Sequence, residues 1–277
     1  MSTILFTIAV LGGLGLVFGL LLALASTVFA VQEDPRKELL NEVMPGANCG
    51  ACGFAGCSAY ADAVIAGTTV IGACTVGGQE VAQKMAAIMG VADTGAMVRQ
   101  VAFVRCSGSG SNRQLYQYEG IQDCLAASRL AAGGSLACSY GCLAFGTCVN
   151  VCDFGALRVK DGHAVVDMDK CAGCLKCVNI CPRHLITVVP YGSEIHVQCY
   201  SKAKGAQTRV TCENGCIACG LCAKNCPAGA ITIKDNLASV DYDKCTSCGT
   251  CIEKCPQHII RRASEIHEDS APFLLPE

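Results

Sequence analysis

The sequence predicts an α+β chain: one apolar N-terminal helix, a small Gly-rich helical module, and two tandem copies of a compact unit built on a short β-hairpin. Three observations predict it. No charged residue precedes Glu33, and residues 2–31 are almost wholly apolar or small. Four cysteines, Cys49, Cys52, Cys57 and Cys74, then lie among glycines, beside two stretches with helical patterning. Finally, Cys138, Cys142, Cys148, Cys152, Cys171, Cys174, Cys177 and Cys181 recur 74 positions later as Cys212, Cys216, Cys222, Cys226, Cys245, Cys248, Cys251 and Cys255. A fixed period of that kind marks an internal repeat.

The first element, residues 1–31, reads as a transmembrane anchor. As a helix it would extend roughly 45 Å, more than the roughly 30 Å of a hydrocarbon core. A cleavable signal peptide usually has a basic start and an apolar stretch of only about 7–15 residues, and neither is present. Arg36 and Lys37 follow the span while no Lys or Arg precedes it. The positive-inside rule therefore puts the rest of the chain on the cytoplasmic side of a single-pass span. Gly15 and Gly19 form a GxxxG that either packs on another membrane helix or is incidental in a Gly-rich span.

Residues 32–92 form the second element. Its cysteines read C-x2-C-x4-C-x16-C, and Gly50, Gly53 and Gly56 permit tight turns and close approach of amides to sulfur. Helical patterning is expected over 58–66 and 79–89. Four cysteines in so small a module suit one [4Fe–4S] cluster, with zinc as the alternative because spacing alone does not choose the metal.

The two repeated units, residues 138–190 and 215–262, are joined to what precedes them by a connecting segment (93–137, with Cys106 and Cys124) and a linker (191–214, with Cys199 and Cys212). Three runs, beginning at Cys171, Cys216 and Cys245, read C-x2-C-x2-C-x3-C-P. Bacterial two-cluster ferredoxins hold [4Fe–4S] clusters with this run, the fourth cysteine ligating the other cluster. Between the runs, 155–162 and 229–236 read as a strand ending in a hairpin turn, with 165–167 and 239–241 as return strands. Crossed ligation gives Cys171, Cys174, Cys177 and Cys152 as one set, Cys216, Cys219, Cys222 and Cys255 as another, and Cys245, Cys248, Cys251 and Cys226 as a third. In the first copy Phe145 stands where the second has Cys219, so Cys138 is taken as a substitute with Cys142, Cys148 and Cys181. Cys106, Cys124, Cys199 and Cys212 remain. They form a sixth set, or some are buried thiols acting as small hydrophobes. Cys124 before Cys138 resembles Cys199 before Cys212, which leaves the sharing of these ligands open. The expectation is five or six [4Fe–4S] clusters.

The 24 cysteines in closely spaced runs fit a disulfide framework poorly, and persistent thiols imply a reducing compartment. A formal net charge of −2 gives no basic footprint for nucleic acid. No nucleotide fingerprint, flavin motif or acid–base pair stands out. Residues 107–111 read as a Gly/Ser-rich loop without the context of a phosphate cradle. Lys202, Lys204 and Arg209 read as a solvated loop, with a contact for a ferredoxin as the alternative, residues 263–277 as a mobile tail, and His163, His184, His196, His258 and His267 as surface or packing residues. The chain describes a wire, with no catalytic residue of its own.

The phrase Met44-Pro45 … Asn48-Cys49-Gly50-Ala51-Cys52-Gly53 … Gly56-Cys57 … Tyr60-Ala61, then Cys74 … Gly77-Gly78-Gln79-Glu80-Val81, resembles the B subunit of the Rnf complex. An apolar span precedes this module in that family and ferredoxin runs follow it. The resemblance implies a hetero-oligomeric complex in the bacterial cytoplasmic (inner) membrane that oxidises ferredoxin, reduces NAD and moves Na+ or H+. Soluble ferredoxin would then be the donor. Other Rnf-type subunits would receive the electrons and hold the flavins, the NAD site and the ion path. The same four-cysteine signature occurs in corrinoid iron–sulfur proteins. The competing reading is therefore a polyferredoxin-type module of a soluble corrinoid or hydrogenase system, and a zinc scaffold comes third.

Overall fold

The computed structural model describes residues 2–28, 34–91, 98–108 and 113–270. Helix α1 (Ser2–Val28) carries no charged residue and leaves Leu11, Leu16, Phe18 and Leu22 more than half exposed. Among the described residues no helix is long and apolar enough to cross a membrane. The transmembrane helix expected from the sequence is thus not shown by the described residues.

Asp34 caps α2 (Pro35–Val43), its carboxylate accepting from the Arg36 amide at 2.9 Å, and Pro35 suits a first helical turn because its missing N–H has no partner there. Helices α3 (Cys57–Ile65) and α4 (Gly78–Met89) close around Leu40, Met44, Tyr60, Val64 and Met85. Both helices fall where the sequence predicts them. Gly90, left-handed at φ +66°, ends α4, a conformation that glycine adopts without a Cβ penalty.

The two repeated units follow. Strand β1 (Gln100–Val104) precedes α5 (Cys124–Ser128), α6 (Thr147–Asn150), β2 (Leu157–Lys160), β3 (His163–Val166), α7 (Lys176–Ile180) and β4 (Ile186–Pro190). The second unit repeats this order as β5 (Ile195–Val197), α8 (Gly205–Thr211), α9 (Leu221–Lys224), β6 (Ile231–Lys234), β7 (Leu237–Val240), α10 (Thr250–Glu253) and β8 (Ile260–Arg262). The hairpins β2–β3 and β6–β7 are those expected, in register Leu157↔Val166 and Ile231↔Val240.

Each unit also has a second antiparallel pair that closes it. β1 pairs with β4 (Val104↔Ile186) and β5 with β8 (Val197↔Ile260). The repeat therefore begins at β1 and β5, inside the stretches expected to be connector and linker. Val101, Phe103, Leu185 and Val189 are almost fully buried in the first core, and Ile195, Ile259 and Ile260 in the second. Phe103 stacks on His196 at 4.6 Å between centroids, so the cores of the two units meet.

Two further expectations are corrected. The segment from 263 begins as α11 (Ala263–Ser270), not as a mobile tail, because Ile266 is buried in the core of the first unit. Residues 271–277 lie outside the described residues. Arg209 sits on α8, not on a loop, because Thr208 of the same helix is buried and anchors it.

Candidate iron–sulfur centres

The local cause of each cysteine loop is a pair of left-handed residues flanking its second position. They are Gly173 and Leu175, Ala218 and Gly220, Ser247 and Gly249, with φ between 53° and 80°. Such alternation curls successive amides toward one side and makes an anion-receiving concavity. A single helical turn follows in each loop and buries the third cysteine: Cys177 on α7, Cys222 on α9 and Cys251 on α10. The first copy's opening loop keeps the same backbone, Ala144 at φ 62° and Gly146 at φ 74°, around Phe145.

The cysteines gather in fours. Cys216, Cys219, Cys222 and Cys255 line one cavity, and Cys49, Cys52, Cys57 and Cys74 another. Cys177 feels the charges of Cys171, Cys174 and Cys152, and Cys251 those of Cys245, Cys248 and Cys226. The cysteines brought together in these four places are the same ones that the sequence reading groups.

The remaining two sets are exchanged. Cys124, not Cys138, lines the cavity with Cys142, Cys148 and Cys181. Cys138 lines the cavity that holds Cys106, Cys199 and Cys212. The cause is α5. The Asp123 carboxylate accepts from the Ala126 amide at 2.9 Å and from Thr147 Oγ1 at 2.7 Å, and Thr147 Oγ1 accepts from the Cys124 amide at 2.8 Å. Cys124 is thereby pinned to the start of α6, where Phe145 packs with Tyr118 and the Cys124 helix. Spacing points to Cys138 because it lies nearer in sequence. Val104-Arg105-Cys106 and Val197-Gln198-Cys199 occupy the same place at the ends of paired strands, an equivalence that shows only once the pairing is known.

The sulfurs receive backbone donors. Ala102 N reaches Cys171 Sγ at 3.3 Å, and Ala156 N and Ala230 N reach Cys152 and Cys226 at 3.4 and 3.3 Å. Gly77 N reaches Cys74 at 3.4 Å. Burial pushes the thiols of Cys148, Cys177 and Cys199 up to about 12 and those of Cys106, Cys222 and Cys251 up to about 11. A dry cavity of that kind favours thiolates only when a cation takes the proton's place. Among the described residues no three His, Cys, Asp or Glu side chains close to the spacing of a single ion. Four thiols in one place is the number that a [4Fe–4S] cluster takes. Donor type, number and amide surroundings therefore fit [4Fe–4S].

The sets also abut one another. Thr75 Oγ1 of the N-terminal module donates to Gly173 O at 3.4 Å. Burial raises the Cys174 pKa, opposed by the Lys176 amide, and Cys49 adds to the rise from across this contact. Cys148 lies near Cys177, the Cys142 amide reaches Cys106, and Cys216 N reaches Cys199 Sγ at 3.3 Å. Cys219 and Cys248, both in the second unit, are the exposed thiols among the cysteines.

Comparison with known proteins agrees with this organisation. Residues 44–76 match the family model for an Fe-S cluster, residues 215–260 that of the 4Fe-4S dicluster domain, and residues 163–186 that of the 4Fe-4S binding domain. The chain is 44% identical to the B subunit of the Na(+)-translocating ferredoxin:NAD(+) oxidoreductase complex of Acetobacterium woodii, over 88% of this chain and 73% of that protein. It is 42% identical to the B subunit of the ion-translocating oxidoreductase complex of Methanosarcina acetivorans, over 88% and 92%. It is 44% identical to the B subunit of the proton-translocating ferredoxin:NAD(+) oxidoreductase complex of Clostridium ljungdahlii, over 87% and 85%. With such identity sustained over most of its length, the chain belongs to the family of Rnf complex B subunits, the iron–sulfur subunits of ion-translocating ferredoxin:NAD oxidoreductases.

Proposed function

We infer that this chain is the electron-conducting subunit of an Rnf-type complex, taking electrons from reduced soluble ferredoxin at its second ferredoxin unit and passing them to membrane partners through the Cys49–Cys74 module. The observation that carries this reading is the unbroken succession of four-cysteine sets between the exposed thiols Cys219 and Cys248 and the module that follows α1. A [4Fe–4S] cluster takes up and returns one electron, at a potential set by hydrogen bonds to sulfur and by exposure to water. The residues of this chain do the rest. The left-handed loops aim amides and thiols together, the short helices bury the third cysteine, and the apolar cores keep water from the interior sets.

The apolar sequence of α1 supports a single-pass anchor, and Arg36 and Lys37 beyond it support a cytoplasmic location for everything that follows. Five of the four-cysteine sets correspond to the N-terminal module and the two dicluster units. The NAD site and ion path belong, on this reading, to other subunits.

Anaerobic purification from membranes, with iron and sulfide analysis, tests the reading. We expect a brown protein with at least roughly 20 irons, four per cubane, co-purifying with integral membrane proteins. A colourless, iron-free chain, or one recovered without membrane partners, overturns it. Cys57→Ala should leave the ferredoxin units reducible by ferredoxin yet stop delivery onward. Undiminished ferredoxin-driven NAD reduction by the complex carrying that variant would refute the route.

A further inference from the structure

We propose that Arg183 sets the reduction potential of the centre lined by Cys124, Cys142, Cys148 and Cys181, holding it above the value that a neutral side chain there would give. The proposal rests on the iron–sulfur reading above and goes beyond it, because Arg183 supplies no ligand and acts through its charge alone.

The repeat itself singles the residue out. Cys181-Pro182-Arg183 and Cys255-Pro256-Gln257 stand 74 positions apart. Each third residue lines the cavity of its own unit's cysteines, Arg183 beside Cys124, Cys142, Cys148 and Cys181, and Gln257 beside Cys216, Cys219, Cys222 and Cys255. Two equivalent centres thus differ by one positive charge at the same place. The guanidinium is also held there. Its Nη1 donates to Cys138 O at 2.8 Å and Gly141 O at 2.6 Å, and its Nη2 to Gly133 O at 2.7 Å. Gly134, at φ +124°, leaves the room, since a Cβ on it would lie 3.2 Å from Arg183 Nη2 and 2.7 Å from Leu143 Cδ2. Carbonyl oxygens orient a guanidinium without neutralising it, and it stays protonated throughout the working range.

No carboxylate takes up that charge. Among the described residues none of the ion pairs involves Arg183. Burial lowers its pKa, and what counters burial is the charge of Cys138, Cys142, Cys106 and Cys181. The field of this cation therefore falls on sulfur. Uptake of one electron makes a cluster more negative, so a fixed cation beside it favours the reduced form and raises the potential. Away from bulk water the effect is screened less than at the surface. An electron arriving from the second unit is accordingly held more firmly in the first than it would be with glutamine at this place.

Redox titration of the anaerobically purified full-length protein, followed by the paramagnetic signals of its reduced centres, tests the assignment. The signal missing from Cys124→Ala marks this centre, and the signal missing from Cys219→Ala marks its counterpart. In Arg183→Gln the marked signal should move to lower potential by about tenfold in the reduced-to-oxidised ratio, ~59 mV for one electron, with iron content unchanged. Arg183→Lys keeps the charge and should titrate near wild type. Gln257→Arg should move the counterpart to higher potential. An unmoved signal in Arg183→Gln overturns the proposal, and so does a fall in Arg183→Lys as large as that in Arg183→Gln, which would make the role one of hydrogen bonding. If Arg183→Gln loses iron, Gln257→Arg decides: a raised counterpart supports the proposal and an unmoved one overturns it. A Cys124→Ala protein that keeps all its iron removes the centre and the proposal together while leaving the electron-carrier reading intact; an iron-free wild-type chain sinks both.

Discussion

At the residue scale the informative position is Phe145. Its neighbours keep the left-handed backbone of a ligating loop, yet its ring packs against Tyr118 at 5.0 Å between centroids, beneath the segment that delivers Cys124. The loss of an in-loop thiol was legible, since Phe145 stands 74 positions before Cys219. Its replacement was not, because distance along a chain says nothing about a helix that folds back. Cys124→Ala should cost roughly four irons, one cubane, and Phe145→Cys in that background should restore them, because the loop already has the required curl. Iron analysis of the two variants checks this, and failure of Cys124→Ala to lose iron would return the role to Cys138. Tyr60 is a second case. Its hydroxyl accepts from Gly72 N at 3.0 Å and Ala73 N at 3.1 Å and donates to Val70 O at 2.9 Å, fixing the loop that carries Cys74. Tyr60→Phe strands these backbone groups and should lower stability by about 2 kcal/mol, read by anaerobic urea unfolding, with iron lost first from the N-terminal module.

At the element scale the hairpins β2–β3 and β6–β7 were legible, because a tight turn writes its register into adjacent residues. The pairs β1–β4 and β5–β8 were not. Their partners lie far apart in sequence and no turn chemistry links them, so strand pairing there follows only from burial of Val101, Phe103 and Ile195. His196 on β5 shows what such burial does. It has no exposed surface; its Nε2–H donates to Ser193 O at 2.8 Å and Nδ1 accepts from the Tyr242 hydroxyl at 3.0 Å. Burial holds its pKa down at about 4, from an ordinary 6.5. The unfolded chain therefore binds this proton first as pH falls. The stability His196 confers is complete above pH 6.5 and drains away between 6.5 and about 4, by about 3 kcal/mol in all. His196→Phe should unfold more readily at pH 7.5 but lose about 2 kcal/mol less than wild type on going to pH 5, measured by anaerobic denaturant unfolding at both values. Equal acid sensitivity of the two proteins would show that His196 titrates freely.

At the scale of the whole molecule, the order of modules along the chain is also their order in space. The N-terminal module abuts the Cys174 loop, the first unit abuts the second through Phe103 and His196, and α11 returns from the end of the second unit to the core of the first. The cysteines alone mark out the modules, since thiolate spacing is a local requirement. They give no sign of α11, whose reason for folding is a distant apolar patch and not its own pattern. Deleting residues 2–28 should move the chain from the membrane to the soluble fraction with its iron content unchanged, assayed by fractionation and iron analysis. Retention in the membrane would mean that partner subunits, and not α1, hold it there.

The cavity lined by Cys106 and Cys138 of one unit and by Cys199 and Cys212 of the other has a consequence for ancestry. A solitary unit bearing only a Cys106-type and a Cys138-type thiol would hold two of the four thiols that line this cavity, and would gain the other two by meeting a second copy of itself. Tandem duplication then turns an encounter that depends on concentration into a permanent covalent arrangement. The stretch from Cys106 to Cys138, which carries Cys124 and is longer than its counterpart from Cys199 to Cys212, has room to differ in one twin alone, because after fusion the halves are free to diverge.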